Sequence, residues 1–195
     1  MGSPELRHPD SQRPITGSFW ITKYGNDYFK ESSNSTNNAI ETILHEIMHV
    51  LAFYQFDKFQ NENISYEEDE QLWIWKGVKV RTVGSQYYNC QMGNFKGIPL
   101  QTDKNGNVGA HWSEAHLGNE IMSPMSDSNS LRISVFTLAL LEDSKWYKVD
   151  YKKAENFVFK KNTGCSLVVK CPAHPICKSG SNNFVTSNYR AIGNC

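Results

Sequence analysis

The sequence has no long hydrophobic run and no excess of charge of either sign. Its longest apolar stretch, Val135 to Leu141, is interrupted by Thr137 and is far shorter than the roughly 20 residues that a membrane-spanning helix requires. Lys plus Arg and Asp plus Glu each total 20, so the formal net charge is zero. No basic cluster stands out, and we therefore expect no nucleic-acid partner.

The first residues also lack the apolar segment of a signal peptide. Residues 1–14 are polar, and we expect residues 1–13 to form a disordered lead. This absence indicates either a cytosolic protein or a chain whose natural start lies upstream of Met1. With 195 residues and 39% hydrophobic content, the sequence can build one domain or two small ones.

Cysteine is scarce except near the C-terminus. Four of the five cysteines lie in the last 31 residues: Cys165, Cys171, Cys177 and Cys195. Such clustering is typical of a disulfide-rich segment and favours a secreted or cell-surface protein. The alternative is a second zinc site on Cys171, His174 and Cys177. It is less favoured because the tight C-x2-C spacing is absent.

The most informative stretch contains the pattern His-Glu-x-x-His, at His45, Glu46 and His49. Residues four apart on a helix share one face, so the two imidazoles can bind one zinc ion. Glu46 would then lie beside the metal, where a general base is needed. The alternative is an ordinary buried helix with two histidines. It is less favoured because buried imidazoles and carboxylates need partners or a metal.

A helix is predicted for this stretch. Asn38 followed by Glu41 is close to a capping box, and no Pro or Gly interrupts the sequence up to Asp57. We therefore expect the helix to run from about Asn38 to about Asp57. Other elements are predicted as follows: a strand over Ser18–Thr22, a polar loop over Tyr24–Asn37, an acidic surface segment over 58–70, one or two strands over Leu72–Val83, a loop-like stretch over Tyr87–Gly109 and a helix over Ser128–Asp143.

A catalytic zinc usually has three protein ligands. Ala52 and Gln55 occupy the positions where a short spacer would supply Gly and the third His, so a short spacer is excluded. His111 and His116 are the remaining candidates in the middle of the chain. His111 is favoured because it precedes an apolar turn that contains Met122.

Two acidic residues offer an alternative third ligand. Glu68 and Glu70 lie about 20 residues after His49, which is the spacing of a zinc protease with a Glu ligand. This alternative is less favoured because no apolar helical pattern would hold the acids toward the zinc. The run from Glu67 to Glu70 is interpreted as a solvated face, and Glu120 as a hydrogen-bonded structural acid.

These motifs resemble the leishmanolysin family of metzincin zinc proteases, in which a long insertion separates the second and third His. The matching pieces occur in the family's order over roughly residues 13–172. They are Arg13–Gly17, His45–Phe53, Gly97–Leu100, Gly109–Trp112, Gly118–Ser123, Ser130–Leu141 and Trp146–Tyr151. The His-Trp and Asn-Glu-Ile-Met pieces, eleven residues apart from His111 to Met122, are the most specific.

The resemblance implies one catalytic Zn2+ bound by His45, His49 and His111. It implies Glu46 as general base and Met122 as the residue of the Met-turn. It also implies a disulfide between Cys90 and Cys165. Family members cut peptide bonds in proteins, and many are secreted or held at cell surfaces. Membrane association would then use regions outside this chain.

Two departures from the family pattern affect the expected fold. Ala52 replaces a Gly that allows the helix to end, so we expect the helix to run on. Only 44 residues precede His45, too few for the full sheet before the zinc helix. We expect an α+β, metzincin-like zincin with a truncated upper sheet. Its parts would be residues 14–57 with the zinc helix, 58–160 with the third His, Met-turn and following helix, and 161–195 as the start of a cysteine-rich region.

The sequence therefore predicts a zinc-dependent endopeptidase that acts on proteins or peptides. The alternative is a non-catalytic surface or structural remnant that keeps the fold but lacks a complete substrate cleft. The intact Glu46 favours catalysis, since metal binding alone does not need it. A third interpretation is a binding module that uses the cysteine-rich tail.

Overall fold

The structure is a computed structural model that describes residues 2–20, 33–124, 131–165, 183–185 and 192–194, and it is an α+β chain. Its strands are β1 (Gly2–Arg7), β2 (Pro14–Phe19), β3 (Ile64–Glu67), β4 (Leu72–Trp75), β5 (Ile98–Thr102), β6 (Val108–Trp112), β7 (Asn183–Val185) and β8 (Ile192–Asn194). Its helices are α1 (Ser33–Leu51), α2 (Phe56–Phe59), α3 (Val78–Tyr88), α4 (Glu114–Leu117) and α5 (Val135–Asp143).

The N-terminal residues form an antiparallel hairpin, β1 with β2, that packs on α1. The prediction of a disordered lead over residues 1–13 is therefore wrong. The guanidinium of Arg7 lies 3.7 Å from the ring centroid of Phe59, an attraction that anchors a polar strand. β2 also begins earlier than the predicted strand Ser18–Thr22, whose last two residues lie outside the described ranges.

Helix α1 begins earlier and ends earlier than predicted. Its first residue is Ser33, so Asn38 lies inside the helix and is not its N-cap. Its last residue is Leu51, six residues before the predicted end at Asp57. Most of the predicted polar loop, residues 24–32, lies outside the part of the chain that the structure describes.

The end of α1 does not need a glycine at position 52. The backbone N–H groups of Ala52 and Phe53 both donate to the carbonyl of Met48, at 3.0 Å each. The left-handed conformation is adopted later, by Gln55 with φ 45°. The expectation that Ala52 lets the helix run on is therefore wrong, because the turn uses another residue.

A four-stranded antiparallel sheet follows α1, with the order β3-β4-β5-β6. β5 and the first two residues of β6 lie within Tyr87–Gly109, so the prediction of a loop is wrong there. Ile98 and Leu100 of β5 are almost fully buried. The strand was missed because Ile-Pro-Leu is too short a pattern and Pro is rare within strands.

Helix α3 occupies a stretch predicted to be strand. Its N-terminus is capped by Asp143 at the end of α5, whose carboxylate accepts hydrogen bonds from the backbone N–H of Lys79 (2.8 Å) and Val80 (3.0 Å). The same carboxylate accepts a bond from Trp75 Nε1 at 3.1 Å. This long-range contact stabilises the helix start and overrides the strand preference of the valines.

Helix α5 begins at Val135, later than the predicted start at Ser128. The hydroxyl of Ser134 accepts a hydrogen bond from Phe136 N at 3.1 Å and so caps the helix. The first residues of the predicted helix, 128–130, lie outside the described residues. Residues 136–141 are all buried, so the helix is enclosed and does not bury one face alone.

The disulfide between Cys90 and Cys165 is confirmed and joins positions 75 residues apart. Beside it, Gly164 N donates to Tyr88 O at 2.8 Å, so the segment is held against the end of α3. The other three cysteines lie outside the described ranges.

Among the described helices, none combines the length and apolar character needed to cross a bilayer. The subdomain boundaries at 57 and 160 stay predictions.

Replacing Asp143 by Ala should lower the free energy of unfolding by about 2–3 kcal/mol, because it leaves Trp75 Nε1 and two helix N–H groups without an acceptor. Urea unfolding would measure the loss. Asp150→Ala is the control, since this exposed residue caps a short turn by accepting one bond, from Lys152 N at 3.0 Å. Equal losses in the two variants would contradict the role given to Asp143.

Candidate metal centre

The fold brings together the three histidines that the resemblance implies as ligands. His45 and His49 lie one turn apart on α1, and His111 comes from β6. His45 Nε2 lies 3.0 Å from His49 Nε2 and 3.2 Å from His111 Nε2. All three ligand atoms lie within 4.8 Å of one another. The rings therefore direct the same nitrogen toward one point.

The other nitrogen of each ring has an acceptor. Each Nδ1 lies within hydrogen-bond distance of an oxygen: Ile121 O for His45 (2.6 Å), Phe53 O for His49 (2.7 Å) and Gln101 Oε1 for His111 (2.7 Å). An oxygen acceptor fixes the proton on Nδ1 and leaves a lone pair on Nε2. Sequence reasoning missed all three acceptors, because two are backbone atoms and the third lies on another strand.

These contacts make the donor set fit a metal ion. Three Nε2 lone pairs face one another, and no ring proton remains to lie between them. Ligand nitrogens of a tetrahedral zinc are roughly 3.3 Å apart, given a Zn–N distance of about 2.05 Å. The observed separations of 3.0 and 3.2 Å are close to this value. The three nitrogen atoms can therefore hold one metal ion together.

Burial favours the neutral, metal-binding form of the His49 and His111 imidazoles. Burial lowers the pKa of His49, and the hydrogen bond with Phe53 O opposes this. Burial, together with the nearby His49 and His45, lowers the pKa of His111 to about 3. Metal ligands must be deprotonated, so these shifts favour binding at neutral pH and below.

Glu46 follows His45 on α1 and faces the hairpin. Its carboxylate accepts a hydrogen bond from the backbone N–H of Gly2 in β1. Gly2 also lies against the backbone of Glu46, where a Cβ atom would overlap the carbonyl oxygen. The hairpin therefore contacts the residue that the sequence predicts to be the general base.

Met122 lies in a turn that supports the histidines. Its side chain is fully buried, and its carbonyl accepts a hydrogen bond from Trp112 N at 3.0 Å, one residue after His111. The preceding residue, Ile121, supplies the acceptor for His45. The turn thus links the end of β6 to α1, while the role of Met122 as a Met-turn residue stays a prediction.

Glu120 anchors this turn to the start of α5. Its buried carboxylate accepts hydrogen bonds from Met122 N (2.6 Å), Ser134 Oγ (2.8 Å) and Thr137 Oγ1 (2.5 Å). Burial raises the pKa of Glu120 to about 7, although these hydrogen bonds oppose the rise. The interpretation of Glu120 as a hydrogen-bonded structural acid is confirmed.

The other candidate ligands, His116 and Glu70, are not part of the three-histidine group. His116 is buried, and its Nδ1 contacts Ser113 Oγ at 2.8 Å. Burial and then Lys160 lower its pKa to about 4. Glu70 pairs with Lys96 at 3.6 Å. Among the residues that the structure describes, the group of side chains that could hold a metal ion is His45, His49 and His111.

The fold and the site together define a class of protein: an α+β chain with a three-histidine centre that can hold a metal ion. The sequence profile of the leishmanolysin family matches residues 10–194. The chain therefore belongs to the leishmanolysin family, whose members are zinc-dependent metallopeptidases.

Three relatives illustrate the similarity. The ciliated left-right organizer metallopeptidase of Mus musculus is 24% identical over 188 residues, which cover 88% of this chain and 26% of the relative. A leishmanolysin-like peptidase of Caenorhabditis briggsae is 32% identical over 60% of this chain and 19% of its own length. Leishmanolysin of Leishmania donovani is 27% identical over 70% of this chain and 24% of its own length. The chain thus spans about a quarter of these relatives or less.

Replacing Glu120 by Gln should change how stability depends on pH. The pKa of Glu120 rises from an ordinary 4.5 to about 7 on folding. In the pH window between these two values, the folded state keeps a proton that the unfolded state has lost. The contribution of Glu120 to the free energy of unfolding is therefore full below the lower pKa and falls as pH rises through the window. Gln does not titrate and lacks this dependence.

The measurement is urea unfolding of the metal-free chain between about pH 5 and about pH 8, which spans most of that window. We expect the stability of the unchanged chain relative to Glu120→Gln to be greatest at acidic pH and to decline toward pH 8. Glu114→Gln, at an exposed position of α4, should leave no such trend. A relative stability that grows with pH would contradict the assignment.

Proposed function

We propose that this chain forms the metal centre of a zinc-dependent endopeptidase and supplies its general base. The observation that carries the proposal is the convergence of three Nε2 atoms whose Nδ1 partners are all hydrogen-bonded to oxygen. Glu46 lies beside the first of these histidines on the same helix. Purely structural metal sites usually have four protein ligands, whereas a three-ligand site leaves a position for water.

The chain's residues would divide the work as follows. His45, His49 and His111 would hold the ion. When bound there, zinc acts as a Lewis acid on a carbonyl oxygen and lowers the pKa of water toward neutrality. Burial lowers the pKa of His49 and of His111, which favours the neutral rings that a metal ion needs.

Glu46 would act as the general base. A carboxylate at this position can accept a proton from the attacking water and deliver it to the nitrogen of the leaving amine. The hydrogen bond from Gly2 N restricts the orientation of the carboxylate. No covalent intermediate on the protein is needed, because water is the nucleophile.

Proteins or peptides are the proposed substrates, since relatives over parts of this chain carry the names leishmanolysin and metallopeptidase. The chain spans about a quarter of those relatives, so hydrolysis by this chain is itself part of the proposal. A secreted or cell-surface location, membrane association through regions outside this chain and the lack of a nucleic-acid partner stay predictions.

One observation favours the non-catalytic alternative. Among the described residues, the sheet packed on α1 has only two strands, and β1 places a backbone amide on the Glu46 carboxylate. A protein that retains the metal but presents no open cleft would keep the three histidines and lose turnover. The two candidates therefore differ in activity and agree on zinc binding.

The Glu46→Gln variant distinguishes the endopeptidase from the non-catalytic alternative. Gln keeps an oxygen that can accept the bond from Gly2 N but cannot take up a proton. We expect the unchanged chain and the exposed control Glu68→Ala to retain zinc after dialysis against metal-free buffer and to cleave quenched fluorescent peptides. Glu46→Gln should retain zinc and lose on the order of 10²–10⁴-fold in kcat/KM.

Elemental analysis and peptide hydrolysis measure the two properties independently. Zinc in all three proteins with no hydrolysis in any would support the non-catalytic alternative. Absence of zinc from the unchanged chain would overturn the metal centre itself.

A further inference from the structure

The acceptor for the third histidine is a side chain on the neighbouring strand. Gln101 of β5 places its Oε1 2.7 Å from His111 Nδ1 on β6. The paired residues on either side are Leu100 with Trp112 and Thr102 with Val108. One residue of β5 thus faces three of β6, namely positions 109–111. Such an irregularity re-aims side chains, and here it directs Gln101 at the ring.

This acceptor differs in kind from the other two. His45 and His49 donate to the backbone carbonyls of Ile121 and Phe53, which no substitution removes. His111 alone depends on the identity of a side chain. A ligand histidine whose Nδ1 loses its acceptor can rotate or carry its proton on Nε2, and either change weakens metal binding.

Gly109 provides the space that this side chain occupies. A Cβ atom on Gly109 would lie 2.7 Å from Gln101 Oε1 and 3.1 Å from its Cβ and Cδ atoms. Gly109 is not among the residues with positive φ, so Ala can adopt its backbone conformation. The absence of a side chain at position 109 is therefore needed for space and not for backbone geometry.

We propose that Gln101 is the positioning residue of the third ligand and that Gly109 is the neighbour that permits it. The pair fixes the His111 ring with its Nε2 lone pair toward His45 and His49, and so sets the affinity of the site for zinc. This inference rests on the proposed metal centre and adds two residues to it.

Gly109→Ala is the sharpest test, because it leaves both His111 and Gln101 in place. The atom it meets first is the end of a flexible side chain, so the expected response is displacement of the Gln101 amide. We expect zinc affinity to fall about 10–100-fold, the usual effect of losing such a partner. The metal-free variant should lose little stability, because the smaller conformational freedom of the unfolded chain with Ala offsets part of the cost of the displaced hydrogen bond.

Gly93→Ala is the matched control. A Cβ atom on Gly93 meets nothing within 4 Å, so this variant makes the same chemical change without touching the site. Zinc affinity would be measured by competition with a chromophoric chelator. Affinity lowered in Gly109→Ala and unchanged in Gly93→Ala supports the proposal. Equal affinity in the unchanged chain and Gly109→Ala overturns it.

Two substitutions of Gln101 test the chemistry of the contact. Gln101→Leu removes the acceptor at similar size and should weaken zinc binding as Gly109→Ala does. Gln101→Glu keeps an acceptor oxygen and should restore the affinity to that of the unchanged chain or better. An equal loss of zinc affinity in Gln101→Leu and Gln101→Glu would show that the hydrogen bond to His111 is not the cause.

The ring of His111 provides a readout without metal. Two-bond nitrogen–proton NMR correlations of the metal-free chain report which nitrogen carries the proton. We expect the Nδ1–H tautomer of His111 in the unchanged chain and a mixture in Gly109→Ala and Gln101→Leu. An unchanged tautomer in both variants overturns the positioning role. If the unchanged chain bound no zinc yet showed these tautomer changes, the proposed function would fail while the positioning of the ring by Gln101 held.

Discussion

The centre depends on one electrostatic constraint: three imidazole lone pairs must face one another in a partly buried space. That arrangement is unfavourable unless a cation lies between them, and it arises only if every Nδ1 proton is held by an oxygen. Ile121 O, Phe53 O and Gln101 Oε1 hold those protons. The acceptors come from three separate segments, so the segments must be packed correctly before the site exists.

The packing that meets this constraint is concentrated around the turn at Met122. Glu120 connects that turn to Ser134 and Thr137 at the start of α5. Thr137 Oγ1 also accepts a hydrogen bond from Trp112 Nε1 at 3.0 Å, next to His111. One buried carboxylate therefore links the turn that contacts His45, the start of a buried helix and, through Thr137, the residue next to His111. These contacts bring His111 of β6 to the two histidines of α1, although 62 residues separate His111 from His49.

The errors of prediction have a common physical origin. Val78 to Val83 alternate as a strand does, yet Asp143 caps this segment and makes it a helix. The polar residues 2–7 lack a hydrophobic pattern, yet pairing with β2 and the stacking of Arg7 on Phe59 order them. Asp143 lies 64 residues from Lys79, and Phe59 lies 52 residues from Arg7. Local propensity is weak beside such contacts.

The sequence alone determined the helix face that carries His45, Glu46 and His49, because that geometry follows from a spacing of four residues. Through its motifs it also indicated the family, the third histidine and the disulfide between Cys90 and Cys165. Only the tertiary structure decided how the third histidine is oriented, since Gln101 and Gly109 act across a strand irregularity that has no local signature. Helical spacing is a local property of the chain, whereas the proton position on the His111 ring depends on atoms brought close by folding.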